Sequence, residues 1–173
     1  MPTHKNVLFF VADDLGKYLG PYGCRTVSTP HLDQFATESV KFDMAYASTA
    51  SCSGSRSTIY SGLHTHENGQ YGLGAVATHF QTFKFIDTIP ALFNKAGYLT
   101  GYVPGTFRIT HLVGLTSSVV GKIHVGTKDV YPWTVYDDIE TRDAAKYADH
   151  VDDFLAKAQS DDKPFHLVVG EFL

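Results

Sequence analysis

The chain has 173 residues, of which 43% are hydrophobic and 18% are charged, and its formal net charge is −4 at pH 7. This composition is typical of one globular domain with a sizeable core, and it excludes a disordered or collagen-like chain. The negative charge argues against a nucleic-acid partner, and two cysteines are too few for a disulfide scaffold or a four-cysteine zinc module.

The first predicted element is a strand over Val7–Ala12, closed by Asp13 and Asp14. Its uninterrupted apolar run predicts a central strand buried on both faces of a parallel sheet. The run is too short, and becomes acidic too soon, for a signal peptide. No stretch approaches the roughly 20 apolar residues of a membrane span. We therefore expect no membrane contact and, by default, a cytoplasmic location.

Two helices are predicted next. Thr29 and Pro30 have the N-cap and N1 positions of the first, whose inward face is expected to hold Leu32, Phe35, Ala36 and Val40. The small residues of STASCSGSRSTIYSG, residues 48–62, predict a loop that leads into a short helix beginning near Cys52.

A helix–strand pair follows, and then a second one. Pro90 lies near the start of a predicted helix that ends at Gly97. Its inward face is expected to hold Leu92, Phe93 and Ala96. The strand that follows is predicted over Tyr98–Val103. TRDAAKYADHVDDFLAKAQ predicts a helix whose inward residues are Ala148, Val151, Phe154 and Leu155, and PFHLVVGEFL a last strand. Strands alternating with helices predict an α/β domain with a mainly parallel sheet flanked by helices. In such sheets, sites form beyond the carboxyl ends of the strands, where Asp13 and Asp14 lie.

Cys52 and Arg56 have the spacing that places two side chains on one helical face. The amides of a first helical turn and a guanidinium would form an anion pocket around the Cys52 side chain, suited to sulfate or phosphate. The alternative is a half-buried cysteine that packs as a small hydrophobe.

Three further groups of residues have a functional and a structural interpretation. Asp13 and Asp14 could bind Ca²⁺ or Mg²⁺, or could be a solvated strand end. Lys122 and His124 in GKIHVG could supply a cation and a proton donor, or could lie in an exposed loop. His64 and His66 could be a zinc pair, but no further ligands have matching spacing, so zinc is rejected.

Several blocks together resemble the sulfatase family of the alkaline-phosphatase-like superfamily, most closely its heparan N-sulfatase (sulfamidase) branch. They are NVLFFVADDLG, ASCSGSRSTIYSGLHTHENGQYGL, HFQTF, IPALFNKAGYLTGYV and GKIHVG. The resemblance covers nearly all of residues 1–173 and implies the N-terminal part of a sulfatase catalytic domain, with an alkaline-phosphatase-like fold that is incomplete at the C-terminus.

The resemblance also implies an activity. In sulfatases the motif cysteine is oxidised to formylglycine, whose aldehyde hydrate attacks sulfur and later expels sulfate. Cys52 would be that precursor, converted by a formylglycine-generating enzyme, and it would also face the metal. Arg56 would steady the hydrate, Asp13 and Asp14 would bind Ca²⁺ (or Mg²⁺), and Lys122 and His124 would bind the sulfate oxygens. The implied substrates are sulfated small molecules or saccharides, as O-sulfate esters or N-sulfamates.

This chain departs from the family pattern in three places. Gly54 replaces the proline of the Cys-x-Pro-x-Arg motif, which predicts poorer conversion of Cys52. Relatives run several hundred residues, so that further metal ligands lie downstream and turnover by this chain is expected to be negligible. Residues 103–120 are an atypical insert that resembles translated intervening sequence.

Two alternative functions remain open from the sequence. One is a phosphodiesterase or phosphonate hydrolase of the same superfamily, although those enzymes usually carry Ser or Thr as the nucleophile. The other is an inactive, degenerate fragment that folds weakly or binds a partner through an unpaired sheet edge.

Overall fold

The computed structural model describes residues 4–74, 80–104, 125–136 and 144–172. Within these residues, four parallel strands form one sheet in the order β1-β4-β2-β3. The strands are β1 (Val7–Asp13), β2 (Leu99–Pro104), β3 (Val135–Tyr136) and β4 (Phe165–Phe172). Because all three strand pairs are parallel, each pairing requires a crossover connection. The predicted α/β class with a parallel sheet is confirmed.

The described part of the chain also forms five α-helices: α1 (Pro30–Thr37), α2 (Cys52–Ser61), α3 (Thr65–Asn68), α4 (Ile89–Lys95) and α5 (Ala144–Ser160). The residues divide into two compact units. The first unit comprises residues 1–13 and 48–172 and contains the whole sheet. The second comprises residues 14–47 and contains α1 and the 3₁₀ helix Gly20–Tyr22. No helix in the described ranges is both long enough and apolar enough to cross a membrane.

The sheet of the first unit has an apolar layer on each face. On one face, Leu99, Val103, Leu167 and Val169 pack with Phe154 and Ala158 of α5. On the other face, Tyr102 and Val168 pack with Tyr60 of α2 and with Val125, Val130 and Tyr131. Gly101 allows α5 to approach β2, because a Cβ atom there would lie 2.7 and 2.9 Å from two Phe154 ring atoms.

The prediction that β1 is buried on both faces is wrong. Burial alternates along the strand, and Leu8 and Phe10 are 48% and 64% exposed. Within the described residues β1 pairs with β4 alone, in the register Val7 to His166, so it is an edge strand of this sheet. The continuous apolar run therefore identified a strand but not its position in the sheet.

The predicted inward faces of three helices are also partly wrong. In α1, Leu32 and Phe35 are exposed, Ala36 is half-buried, and Val40 lies beyond the end of the helix and is exposed. In α4, Leu92 is 50% exposed and Ala96 is exposed, whereas Phe93 is half-buried against Tyr98 and His166. In α5, Ala148 is exposed, while Tyr147, Val151, Phe154, Leu155 and Ala158 form the inward face. Helical periodicity located the helices, but it did not determine which apolar residues have a packing partner.

Candidate active site

Helix α2 begins where the sequence predicted, with Cys52 as its first residue. Ser51 has extended backbone angles at the N-cap, and Gly62 ends the helix with a left-handed φ of 70°. The small residues of this segment allow a buried helix start: Gly54 is buried, and its carbonyl accepts hydrogen bonds from the Ser57 and Thr58 hydroxyls at 2.8 and 3.0 Å. The half-buried Cys52 is thus presented at a helix N-terminus.

One turn further along α2, Arg56 forms a buried ion pair with Asp13 at the carboxyl end of β1. Arg56 Nη2 donates to Asp13 Oδ1 at 3.2 Å, and the two side chains are only 5% and 6% exposed. The pair joins residues that are 43 positions apart. It therefore fixes the start of α2 to the tip of β1, where sites in parallel sheets form.

Cys52 lies next to this pair. A carboxylate oxygen of Asp13 and Cys52 Sγ are within 4.8 Å of one another. The structure thus brings together three of the predicted site residues, Asp13, Cys52 and Arg56. Asp14, the next residue of the chain, begins the second unit and has a left-handed φ of 53°.

Two buried tyrosines surround the Arg56 guanidinium, and the sequence reasoning missed both. Tyr60 and Tyr102 are 0% and 1% exposed, and their rings meet edge to face with centroids 6.4 Å apart. Gly170 makes room for them, because a Cβ atom there would lie 3.0 Å from Tyr102 Oη and 3.6 Å from Arg56 Nη1. The one available signal was spacing, since Tyr60 follows Arg56 by four residues in α2.

Burial affects the pKa of both tyrosines and of Arg56. It raises the pKa of Tyr60 and of Tyr102, so both hydroxyls stay neutral at physiological pH. Burial acts to lower the pKa of Arg56, but the pKa is raised overall, and the hydrogen bond to Asp13 and the charge of the Asp13 carboxylate act in that direction. Arg56 therefore remains a cation, with Nη2 on Asp13 and with Nη1 buried and without a hydrogen-bond partner among the described residues.

The segment after α2 is hydrogen-bonded to the second half of that helix. The Asn68 side-chain amide, fully buried, donates to Ser57 Oγ, Ser61 Oγ and the Leu63 carbonyl at 3.1–3.2 Å.

His64 and His66 of the rejected zinc pair are exposed, and their rings stack with centroids 5.7 Å apart. They belong to no cluster of three or more metal-ligating side chains within the described part of the chain.

Two predicted site residues lie where the structure gives no description. Lys122 and His124 are outside the described residues, and so is the predicted insert from residue 105 onward. The first two residues of that insert, Val103 and Pro104, are the end of β2, where they pair with Val169 and Gly170. The roles of Lys122 and His124 stay predictions.

The donor atoms near Cys52 fit a hard divalent cation only in part. Ca²⁺ and Mg²⁺ prefer carboxylate oxygens, and Asp13 has a second oxygen besides the one that accepts from Arg56. A thiol is a soft ligand and suits such a cation poorly. An oxygen-bearing side chain at position 52 would fit better, which is what conversion to formylglycine would provide.

Comparison with known proteins gives the family. The Sulfatase family model matches residues 5–170. N-sulphoglucosamine sulphohydrolase of Homo sapiens is 37% identical over 129 residues, which are 75% of this chain and 22% of that protein. Iduronate 2-sulfatase of Homo sapiens is 35% identical over 103 residues, 59% of this chain and 18% of that protein. The chain thus spans about a fifth of the length of these relatives.

Solved structures show the same fold. BT4656 in complex with its substrate D-glucosamine-2-N,6-O-disulfate aligns with 97% of this chain and 34% of its own, with a TM-score of 0.67 and 23% identity. Ps i-CgsB aligns with 96% of this chain and 44% of its own, with a TM-score of 0.75 and 20% identity. The family model and the 37% identical relative confirm the predicted resemblance. This chain belongs to the sulfatase family.

Proposed function

We propose that the protein of which this chain forms at least a part hydrolyses sulfate esters or sulfamates of sugars. The observation that carries the proposal is the cluster of Cys52, Arg56 and Asp13, in which a half-buried thiol lies within 4.8 Å of a carboxylate that is paired with a buried guanidinium. The substrate class is supported by one relative, an N-sulphoglucosamine sulphohydrolase, and by one structural neighbour that is in complex with a glucosamine disulfate.

Cys52 is the proposed nucleophile precursor, oxidised to formylglycine by a separate formylglycine-generating enzyme. Its position at the first turn of α2 places it where backbone amides favour an anionic group. Arg56, held on Asp13, would add a positive charge close to residue 52 and so stabilise negative charge that develops there. Burial strengthens this interaction because no water competes for the guanidinium.

A divalent cation is the proposed cofactor, with Ca²⁺ preferred over Mg²⁺ on the family resemblance. Asp13 and the adjacent Asp14 would hold it together with residue 52. When bound, such a cation stabilises negative charge on a transferred sulfuryl group. Lys122 and His124 are proposed to contact the sulfate oxygens.

The first test is chemical. The chain is produced with and without a formylglycine-generating enzyme, and the peptide that contains Cys52 is analysed by mass spectrometry. An aldehyde at residue 52 in the co-expressed sample supports the proposal, and a thiol in every molecule contradicts it. Cys24, which is the other cysteine of the sequence, is the internal control and stays a thiol.

The second test is functional. Hydrolysis of an aryl sulfate, an aryl phosphate and N-sulfoglucosamine is compared for the converted chain and for its Cys52→Ala variant, with and without Ca²⁺. Release of sulfate that requires Cys52 and Ca²⁺ supports the proposal. Faster release of phosphate would instead favour a phosphodiesterase of the same superfamily. No turnover, together with a broad melt that Ca²⁺ does not shift, would favour an inactive fragment.

A further inference from the structure

Three residues of α2 lie on one face of the helix and connect the candidate site to the core. Cys52, Arg56 and Tyr60 follow one another at intervals of four residues, which places their side chains on the same side. Cys52 lies near the Asp13 carboxylate, Arg56 donates to it, and Tyr60 is fully buried in an apolar layer of the sheet. The Arg56 charge therefore lies between the half-buried thiol and the core.

The neighbouring strands bring a second tyrosine to this charge. Tyr102 of β2 pairs with Val168 of β4, and Gly170 follows two residues later on the same face of β4. A Cβ atom at Gly170 would lie 3.0 Å from Tyr102 Oη and 3.6 Å from Arg56 Nη1. Because glycine has no side chain, the Tyr102 hydroxyl and one end of the guanidinium both occupy the space over this residue.

Aromatic rings hold Tyr102 in place. The Tyr60 ring meets it edge to face with centroids 6.4 Å apart, and the Tyr136 ring stacks on it at 6.0 Å. The Trp133 ring centroid lies 5.4 Å away. In a close-packed core, a ring with neighbours on several sides cannot change its rotamer unless they move. The position of the Tyr102 hydroxyl is therefore fixed by the core.

The contact of Tyr102 with Arg56 joins a neutral hydroxyl to a buried charge. The Arg56 side chain is only 5% exposed. Burial raises the pKa of Tyr102, and the Arg56 charge acts in the opposite direction, as a cation close to a phenol oxygen does. A neutral hydroxyl can turn its oxygen toward a cation, and the low dielectric of the interior strengthens that attraction.

We propose that Tyr102 is a positioning residue, whose hydroxyl holds the Arg56 guanidinium in place on Asp13 and close to residue 52. An arginine side chain has many rotamers, so one contact at its tip does not fix the planar group. Asp13 accepts from Nη2, and Tyr102 lies at the Nη1 end. The benefit of a fixed Arg56 for hydrolysis rests on the proposed function, whereas the holding itself does not.

The first test measures the motion of Arg56 directly. The chain is prepared with Cys52 unmodified and with isotope-labelled arginine, and NMR gives the rate at which each guanidinium rotates about its C–N bonds. The sequence has four arginines, and the Arg56 signal is the one that is lost in the double variant Asp13→Asn with Arg56→Met. In Tyr102→Phe, which keeps the ring, Arg56 should rotate about fivefold faster, the factor for one interaction of ordinary strength.

The second test separates this role from simple core packing. Tyr102→Phe should lower the midpoint of urea unfolding in the unaltered chain, and by less than about half as much in the double variant that has no Arg56 charge. A tyrosine that only fills the core would give the same shift in both. Circular dichroism establishes that each variant is folded.

Tyr131→Phe is the matched control. Tyr131 is buried in the same apolar layer, but its hydroxyl is hydrogen-bonded to that of Thr82 at 2.7 Å. This variant should shift the midpoint equally in both backgrounds and leave the rotation of Arg56 unchanged.

Unchanged rotation of Arg56 in Tyr102→Phe, or an equal midpoint shift in both backgrounds, overturns the proposal. These outcomes are separate from failure of the proposed hydrolysis. A chain in which Cys52 is never converted would lose the hydrolase and keep both measurements, whereas a converted, active chain with unchanged rotation would lose only this inference.

Discussion

Replacing Asp13 by Asn tests the ion pair that joins β1 to α2. The substitution leaves the Arg56 charge in place, 4% exposed, without its carboxylate. Removing one partner of a buried pair costs about 3–5 kcal/mol, because the remaining charge is buried and uncompensated. The free energy of unfolding of globular proteins is about 5–15 kcal/mol, so the variant should lose a large share of its stability. The double variant Asp13→Asn with Arg56→Met buries no charge and should be more stable than the single Asp13 variant.

The free energy of unfolding is measured by urea titration, with Trp133 fluorescence as the signal. The matched control is Asp161→Asn, which breaks the exposed pair of Lys157 and Asp161 in which the side chains are 50% and 31% exposed. That pair should contribute less than about 0.5 kcal/mol. If Asp13→Asn costs no more than Asp161→Asn, the ion pair does not hold the site together and the reasoning fails.

Three further predictions concern single positions. Gly101→Ala should lower the free energy of unfolding, measured by a urea melt, by about 1–3 kcal/mol, because the new Cβ contacts the Phe154 ring. A decrease smaller than the error of the measurement would contradict this close packing. The free energy of unfolding should fall as the pH drops below 6.5, the usual pKa of histidine. Burial lowers the pKa of His166 in the folded chain, so the unfolded chain takes up the proton first. In urea melts over a pH series, the free energy of unfolding should depend less on pH for His166→Phe, and an equal dependence in both proteins would refute this. Gly54→Pro should raise the converted fraction of Cys52 in co-expressed chain, measured by peptide mass spectrometry, and an unchanged fraction would show that glycine is not the cause of poor conversion.

The strands and helices could be predicted from the sequence because their signals are local. Pro30, Pro90 and Gly97 mark helix ends, and the structure starts and stops helices at or next to those residues. Burial could not be predicted in the same way. Phe10 is as apolar as a core residue and yet is 64% exposed, because exposure depends on which element packs on that face.

The candidate site could be predicted in outline. Spacing placed Cys52 and Arg56 on one helix, and the end of a parallel strand placed Asp13 at the site edge; the structure brings all three together. The direct bond between Asp13 and Arg56 was not expected, because nothing in a local pattern pairs residues that are 43 positions apart. Tyr102 was missed for the same reason, because it comes from β2 and meets α2 only through the fold.

Gly54 shows why a departure from a family motif cannot be interpreted from one position alone. The sequence predicted only that glycine at this position lowers the conversion of Cys52. In the fold, a Cβ atom at this position would lie 2.7 Å from Thr49 Cγ2 and 3.3 Å from Thr65 Cγ2, so the Thr49 side chain would have to shift to admit a larger residue. Proline at position 54 should therefore be tolerated better when Thr49 is also replaced by Ser, which removes the nearest methyl group. The effect of proline at position 54 on the stability of the fold should thus depend on the residue at position 49.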